Sequence, residues 1–158
     1  MKKQGLIVVI VAALDQLIKL LVRSVPRGEI IFALPGLFSI EGCVNTGAAF
    51  SMLSGHTMLI ALISLLLLAV IMVYATRKLR LTPISRAVLE CLIGGGIGNL
   101  IDRLFLAGVT DYIRLQFIDF PVFNLADIAI TVSIGLLMIL LFTDTLEEPV
   151  EDKGGSDH

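Results

Sequence analysis

Two carboxylates, Asp111 and Asp127, are the residues of this chain best suited to do chemistry. Asp111 falls just outside one apolar run, and Asp127 lies near the start of the next. A short hairpin-like segment between them can bring the two acids together at a membrane edge. Two carboxylates in a low-dielectric site cannot both ionise easily, so such a pair shares a proton. One then activates water as a base while the other protonates a carbonyl oxygen as an acid. The titration belongs to the pair rather than to either residue. No other nucleophile–base set presents itself: His56 and His158 fall elsewhere, and neither Cys43 nor Cys91 has a partner in sequence. Asp119 competes for a place in the dyad, although a solvated loop acid is the simpler reading of it.

Further polar side chains interrupt the apolar runs: Asp15 and Lys19 the first, Asn99, Asp102 and Arg103 the third, Asn124 and Asp127 the fourth. A charge at a helix centre in lipid costs roughly 2.5–3.5 kcal/mol on insertion scales, so a cluster of them marks a working site. The composition supports the lipid setting. Of 158 residues, 56% are hydrophobic and 16% charged, against about 25% charged in a soluble domain. Mean hydropathy is +0.95. This is the composition of an integral membrane protein with one compact domain. A net charge of −2 offers no basic face, so no nucleic-acid partner is expected. The cysteines and histidines have no zinc spacing, so no metal and no other cofactor is expected, and Cys43 and Cys91 are expected to stay unpaired.

Four runs are long enough to cross a bilayer, which takes roughly 20 helical residues. They lie at about 5–22, 57–76, 85–106 and 122–143. Lys2 and Lys3 ahead of the first run imitate a signal peptide, but Asp15 and Lys19 break the run and no small-residue cleavage site follows. It reads as a retained span. The segment from about 24 to 56 partly alternates apolar and polar residues between Gly and Pro, which predicts short strands lying on the outer membrane face. Lys2, Lys3, Arg77, Lys78, Arg80 and Arg86 fall on one side of the membrane, against Arg23, Arg27 and Arg114 on the other. That bias puts both termini in the cytoplasm. The expected architecture is therefore membrane α-helical: four transmembrane helices with a small extracytoplasmic β-cradle. Residues 1–145 would form one integral membrane domain, and 146–158 a flexible acidic cytoplasmic tail.

This topology brings the polar residues to one depth. Asp15 and Lys19, then Asn99, Asp102 and Arg103, then Asn124 and Asp127 all fall in the outer half of the bilayer. Asp15 and Lys19 are spaced i,i+4 and can pair on one face. Asn99, Asp102 and Arg103 are spaced to project together, with an Asp102–Arg103 pair bracing the loop that follows. Gly94, Gly95, Gly96 and Gly98 thin the third helix, for close approach either of neighbouring helices or of a substrate backbone. A hydrolase is not the only reading that fits buried acids. A proton-coupled transporter would need acids reachable from both sides, and the inner half offers only Glu90. A non-enzymatic scaffold leaves the cost of the acids unexplained.

The motifs together resemble the bacterial lipoprotein signal peptidases (signal peptidase II). The matching stretches are Asp15-Gln-Leu-Ile-Lys19, Asn45-Thr-Gly-Ala-Ala-Phe-Ser51, Gly95-Gly-Ile-Gly-Asn-Leu-Ile-Asp-Arg103, Val109-Thr-Asp-Tyr-Ile113 and Phe123-Asn-Leu-Ala-Asp127. They stand in the family's order and spacing across all four runs. The resemblance implies an intramembrane aspartic endopeptidase that removes the signal peptide from diacylglyceryl-modified prolipoproteins, cutting before the lipidated cysteine. It maps the catalytic pair onto Asp111 and Asp127. Asp15, Lys19, Asn45, Gly47, Asn99, Asp102, Arg103 and Asn124 become the expected substrate-binding or site-supporting residues. Membrane lipids and globomycin-type inhibitors are the other expected partners, the protein is expected to be a monomer, and the expected location is the bacterial inner membrane with the site near its outer face. The loop carrying Phe50 would close over the peptide. Cys43 and Tyr112 depart from the residues common in the family at their positions.

Overall fold

The computed structural model describes residues 5–47 and 52–147. In chain order these form α1 (Leu6–Arg23), β1 (Ile30–Leu34), β2 (Phe38–Asn45), α2 (Thr57–Lys78), α3 (Pro83–Leu106), β3 (Val109–Leu115) and α4 (Leu125–Phe142). The strands make one antiparallel sheet in the order β1-β2-β3. Phe50 and the rest of 48–51 lie outside the described residues, as does the tail from 148 onward. Leu146 and Glu147, expected in the tail, instead pair back on the α2–α3 connection: Leu146 accepts from Thr82 N–H (3.2 Å) and Glu147 bridges Leu81.

Burial is inverted relative to a soluble bundle. On α1, Asp15 and Lys19 are 0% exposed while Leu14, Leu17, Leu20 and Leu21 face outward. Polar side chains turned inward and aliphatic ones outward are what lipid surroundings select. Thr57–Arg77, Pro83–Leu106 and Leu125–Phe142 are each long and apolar enough to cross a membrane. The first helix does not meet that description, because Asp15, Lys19 and Arg23 fall within its length. The protein is thus a membrane helical protein with four described helices, three of them candidate spans, and a small sheet.

The sheet is larger than the sequence suggested. Two strands fall inside the 24–56 segment, but β3 was expected only as a loop. Its Val-Thr-Asp-Tyr-Ile run is rich in β-branched and aromatic residues. It pairs with β2 from Phe38↔Leu115 to Asn45↔Val109, with an irregularity between Ile40 and Cys43. All of β1 is exposed, and the sheet sits at the end of the bundle where α1 and α3 finish and α4 begins.

The central helix is α3, and its glycines explain why. A Cβ on Gly94 would lie 2.8 Å from Val11 on α1, and one on Gly98 would lie 2.5 Å from the Asp15 carboxylate. On Gly95 it would lie 2.7 Å from the Ala126 carbonyl of α4, and on Gly96 2.7 Å from Leu68 on α2. Each glycine admits a neighbouring helix, which settles their role as helix packing. An apolar cluster of Ala61, Leu68, Leu92, Ile93 and Leu100 fills the α2–α3 seam. Local signals set the helix ends. Thr82 caps α3 by accepting from Ser85 N–H (3.2 Å), with Pro83 at the first turn. Ala107, left-handed at φ 54°, stops α3 and turns the chain into β3.

Gly95→Ala should separate α3 from α4, because the added methyl meets backbone rather than a pliable side chain. Overpacking of this kind costs about 1–3 kcal/mol, to be read as a lowered Tm in detergent. Gly135→Ala, with nothing within 4 Å of its Cβ, is the matched control and should leave Tm unchanged or higher.

Candidate active site

Helix α4 begins inside the protein, and the satisfaction of its first amides builds the site. A helix leaves four N–H groups without intrahelical partners. Asn124, wholly buried, is the N-cap: its Oδ1 accepts from Asp127 N–H (3.0 Å), and Asp127 Oδ2 accepts from Asn124 N–H (3.1 Å). This reciprocal box places Asp127 in the first turn. Leu125 N–H donates to the Tyr112 hydroxyl (3.1 Å) and Ala126 N–H to Asp15 Oδ1 (3.1 Å). Thus α1, β3 and the cap all hold the end of one helix. The helix was expected from 122, but Phe123 is tied instead to β3 by its N–H and C=O, both bonded to Ile113 (3.1 and 2.8 Å).

Two amide side chains join the two aspartates, and a third holds Asp111. Asn124 Nδ2 donates to Asp111 Oδ1 (2.6 Å) and to Asn99 Oδ1 (3.1 Å). Asn99 Nδ2 donates to Asp127 Oδ1 (2.7 Å). Asn45 Nδ2 donates to Asp111 Oδ2 (3.1 Å), while its Oδ1 accepts from Gly47 N–H (2.9 Å). Gly47 therefore fixes which way the Asn45 amide faces. Asp111 and Asp127, with Asn45 and Arg103, line one cavity of about 540 Å³ whose other walls include Val109, Phe120, Phe123 and Ile128. A mostly apolar cleft with a few convergent polar groups is the ordinary form of a ligand site.

Asp111 is 2% exposed. Burial, reinforced by the negative charge of Asp127, pushes its carboxyl up from 3.8 to about 6, against the opposing hydrogen bonds from Asn45 and Asn124. Asp127 receives the Asn99 amide and the Asn124 backbone N–H at a helix N-terminus, an arrangement that stabilises negative charge. The two carboxyls thus meet unlike surroundings within one cavity.

Behind the amides stands a buried ionic layer. Lys19 Nζ lies 2.7 Å from Asp15 and 3.7 Å from Asp102, and donates to Asn99 Oδ1 (2.8 Å). Asp15 and Lys19 pair at i,i+4 as expected. The Asp102–Arg103 brace is a correction. Adjacent residues on a helix diverge by about 100°, so Asp102 turns to α1 and β3, accepting from Gln16, Arg23 and the Thr110 N–H (each 2.9 Å). Arg103 turns instead into the cavity beside the dyad, and its buried Nε has no hydrogen-bond partner among the described residues. Asp119 is exposed and does not line the cavity.

Sequence reasoning missed Gln16, Arg23, Thr110 and the Tyr112 hydroxyl. The first two were visible as continuations of the Asp15–Lys19 face, with Arg23 one turn beyond Lys19. Cys43 pairs in register with Asp111 across the sheet and lines a separate cavity. Burial pushes its thiol up, as does the Asp111 charge. Both cysteines are free.

Long apolar helices beside a mostly apolar cleft that holds two carboxylates fit a membrane enzyme, and the comparisons agree. Two solved bacterial membrane enzymes share the fold. One has a TM-score of 0.82 at 28% identity, over 97% of this chain and 93% of that one. The other has 0.79 at 29%, over 89% and 92%. A family model described as signal peptidase (SPase) II matches residues 7–143. Lipoprotein signal peptidases of Streptococcus pyogenes serotypes M1 and M5 (strain Manfredo) are each 39% identical over 137 residues, 86% of this chain and 90% of theirs. The chain belongs to the signal peptidase II family, and is a membrane-embedded protease.

Tyr112→Phe removes the acceptor for Leu125 N–H while keeping the ring. A buried donor left unpaired costs about 1–3 kcal/mol, so Tm should fall. Amide exchange at Leu125 should quicken more than exchange elsewhere in α4. Burial also raises the Tyr112 hydroxyl to about 12, so the loss should be uniform across neutral pH.

Proposed function

We propose that this protein is an intramembrane aspartic endopeptidase that removes signal peptides from diacylglyceryl-modified prolipoproteins, cutting before the lipidated cysteine. The observation that carries the reading is that Asp111 and Asp127 line one cavity and are joined by shared amide donors. Asp127 is the base that activates water. Asp111 supplies the proton to the scissile carbonyl oxygen, a role supported by its deeper burial. Arg103, whose Nε lacks a protein partner among the described residues, offers its donors to a substrate carbonyl. Asn45, Asn99 and Asn124 orient the carboxylates, Gly47 orients Asn45, and Asp15, Lys19 and Asp102 brace them from behind.

In this reading α1 is a fourth span, its three charges being turned to α3, α4 and β3. Residues 1–145 form one protease domain in the bacterial inner membrane, with both termini cytoplasmic and the sheet and cavity at the outer face. The acyl chains of the substrate stay in the bilayer, where each buried CH₂ contributes about 0.8 kcal/mol. The protein acts as a monomer in this reading. Globomycin-type inhibitors are expected to occupy the same cavity.

The test is a gel-shift cleavage assay on a diacylglyceryl-modified prolipoprotein. Asp111→Asn and Asp127→Asn should each lose at least the roughly 10²–10⁴-fold that acid–base catalysis supplies. Turnover by either folded variant would reject the dyad. A fully active Arg103→Lys would show that the planar fork is not needed.

The pH dependence follows from Asp111. Its folded carboxyl keeps a proton up to about pH 6, against an ordinary value of 3.8. kcat/KM should therefore fall as pH rises through about 6. Stability carries the same sign: the contribution of that proton is full below about pH 4 and is lost as pH rises through about 6. Asp111→Asn should flatten the stability profile across that window.

A further inference from the structure

Arg23, at the last turn of α1, touches neither aspartate, yet it closes a ring around the residue beside one of them. Its Nε donates to Thr110 Oγ1 (2.9 Å) and its Nη2 to Asp102 Oδ1 (2.9 Å). Asp102 Oδ2 in turn accepts from Thr110 N–H (2.9 Å). Thr110 is 4% exposed and Asp102 0%. One guanidinium and one carboxylate thus grip both the backbone and the side chain of the residue preceding Asp111, from two different helices. Arg23 and Thr110 do not line the cavity that holds the dyad. They line a second cavity of about 290 Å³, together with Val22, Arg27 and Cys43.

The sheet ties Thr110 and Asp111 to β2 alone, through Val44↔Thr110 and Cys43↔Asp111. The β2–β3 register is interrupted between Ile40 and Cys43, immediately before the Cys43↔Asp111 pair. This irregularity lies past Asp111 along β3 and leaves the pairs at Val109, Thr110 and Asp111 in place. The other neighbour, β1, pairs with β2 and does not reach β3. The Asp102–Arg23–Thr110 ring adds a tie that the sheet does not supply, from the start of β3 to α1 and α3.

We propose that Arg23 is a positioning residue for proteolysis, setting the place of the Asp111 carboxyl through Thr110. The inference rests on Asp111 being catalytic. A ring that acts through β3 should change turnover and leave substrate affinity alone, since neither Arg23 nor Thr110 reaches the cavity. It also makes Arg23 and Thr110 one device, so their substitutions should not add.

The experiment compares kcat and KM for cleavage of a diacylglyceryl-modified prolipoprotein by the full-length enzyme in detergent. The variants are Thr110→Val, Arg23→Lys, the double variant, Asp111→Asn and Arg114→Gln. Thr110→Val removes the acceptor and keeps every charge. Arg23→Lys keeps the charge against Asp102 and loses the fork that reaches Thr110 as well. Each should lower kcat roughly tenfold with KM within about twofold, since displacements near 1 Å cost up to about 10²-fold. The double variant should be no worse than the worse single. Arg114→Gln, which loses only an exposed pairing with Glu41, should behave as wild type. Unchanged kcat in either folded single variant, losses that multiply in the double, or an effect on KM alone would overturn the proposal. If Asp111→Asn is inactive while Thr110→Val is unaffected, the positioning role falls and the catalytic reading stands. If Asp111→Asn still turns over, the catalytic reading falls and the positioning role with it.

Discussion

The structure depends on one constraint: a helix that starts inside a membrane protein must find partners for its first amides. In hydrocarbon there is no water to take them, and each unsatisfied group costs several kcal/mol. Helix α4 meets this demand with Asn124, with the Tyr112 hydroxyl and with Asp15. These three groups come from the cap itself, from β3 and from α1. Satisfying the helix therefore fixes where the first helix and the third strand stand relative to the fourth. The dyad is a by-product of that geometry. Asp127 is part of the cap, and Asp111 is the strand neighbour of the tyrosine that supports it.

A second layer keeps the polar groups from competing with one another. The amide side chains each have a donor end and an acceptor end, and every assignment is forced by the next group along. Lys19 can only donate, so it claims the oxygen of Asn99 and leaves the Asn99 NH₂ for Asp127. Gly47 claims the oxygen of Asn45 and leaves its NH₂ for Asp111. Both acids accept amide N–H groups, so the chain of orientations runs from a buried cation to the two acids without a mismatch. Networks of this kind are stabilising when complete and costly when broken.

Much of this was legible in the sequence because lipid makes polar residues conspicuous. The helices α1, α2 and α3 fall within about two residues of the apolar runs, and every expected site residue stands within the two polar layers or the cavity wall. The failures have physical causes. The strand β3 was hidden because a seven-residue run beside a membrane reads as a loop until its partner β2 is known. The end of α4 was misplaced although Asn124 and Asp127 carry a capping spacing, because Val122 and Phe123 extend the apolar pattern past the cap. The partner of Asp102 was misassigned by sequence proximity. Arg23 is 79 positions away, and only the packing of α1 on α3 brings them together. That packing was itself announced by Gly94 and Gly98, although their spacing does not say which helix they admit.

The Asp15–Lys19 contact has a consequence for how such a chain is assembled. Most partners in the ionic layer are remote: Lys19 meets Asn99 from 80 positions away, and Asp15 meets Ala126 from 111. During synthesis from the N-terminus, α1 is complete long before those partners exist. The i,i+4 pair at 2.7 Å needs nothing outside its own helix. The two opposite charges neutralise each other on one face, leaving a segment with an apolar girdle and a dipole rather than two bare ions. With α1 read as a fourth span, the pair lets the helix wait in the bilayer for its neighbours, whose arrival surrounds a contact that was first self-contained.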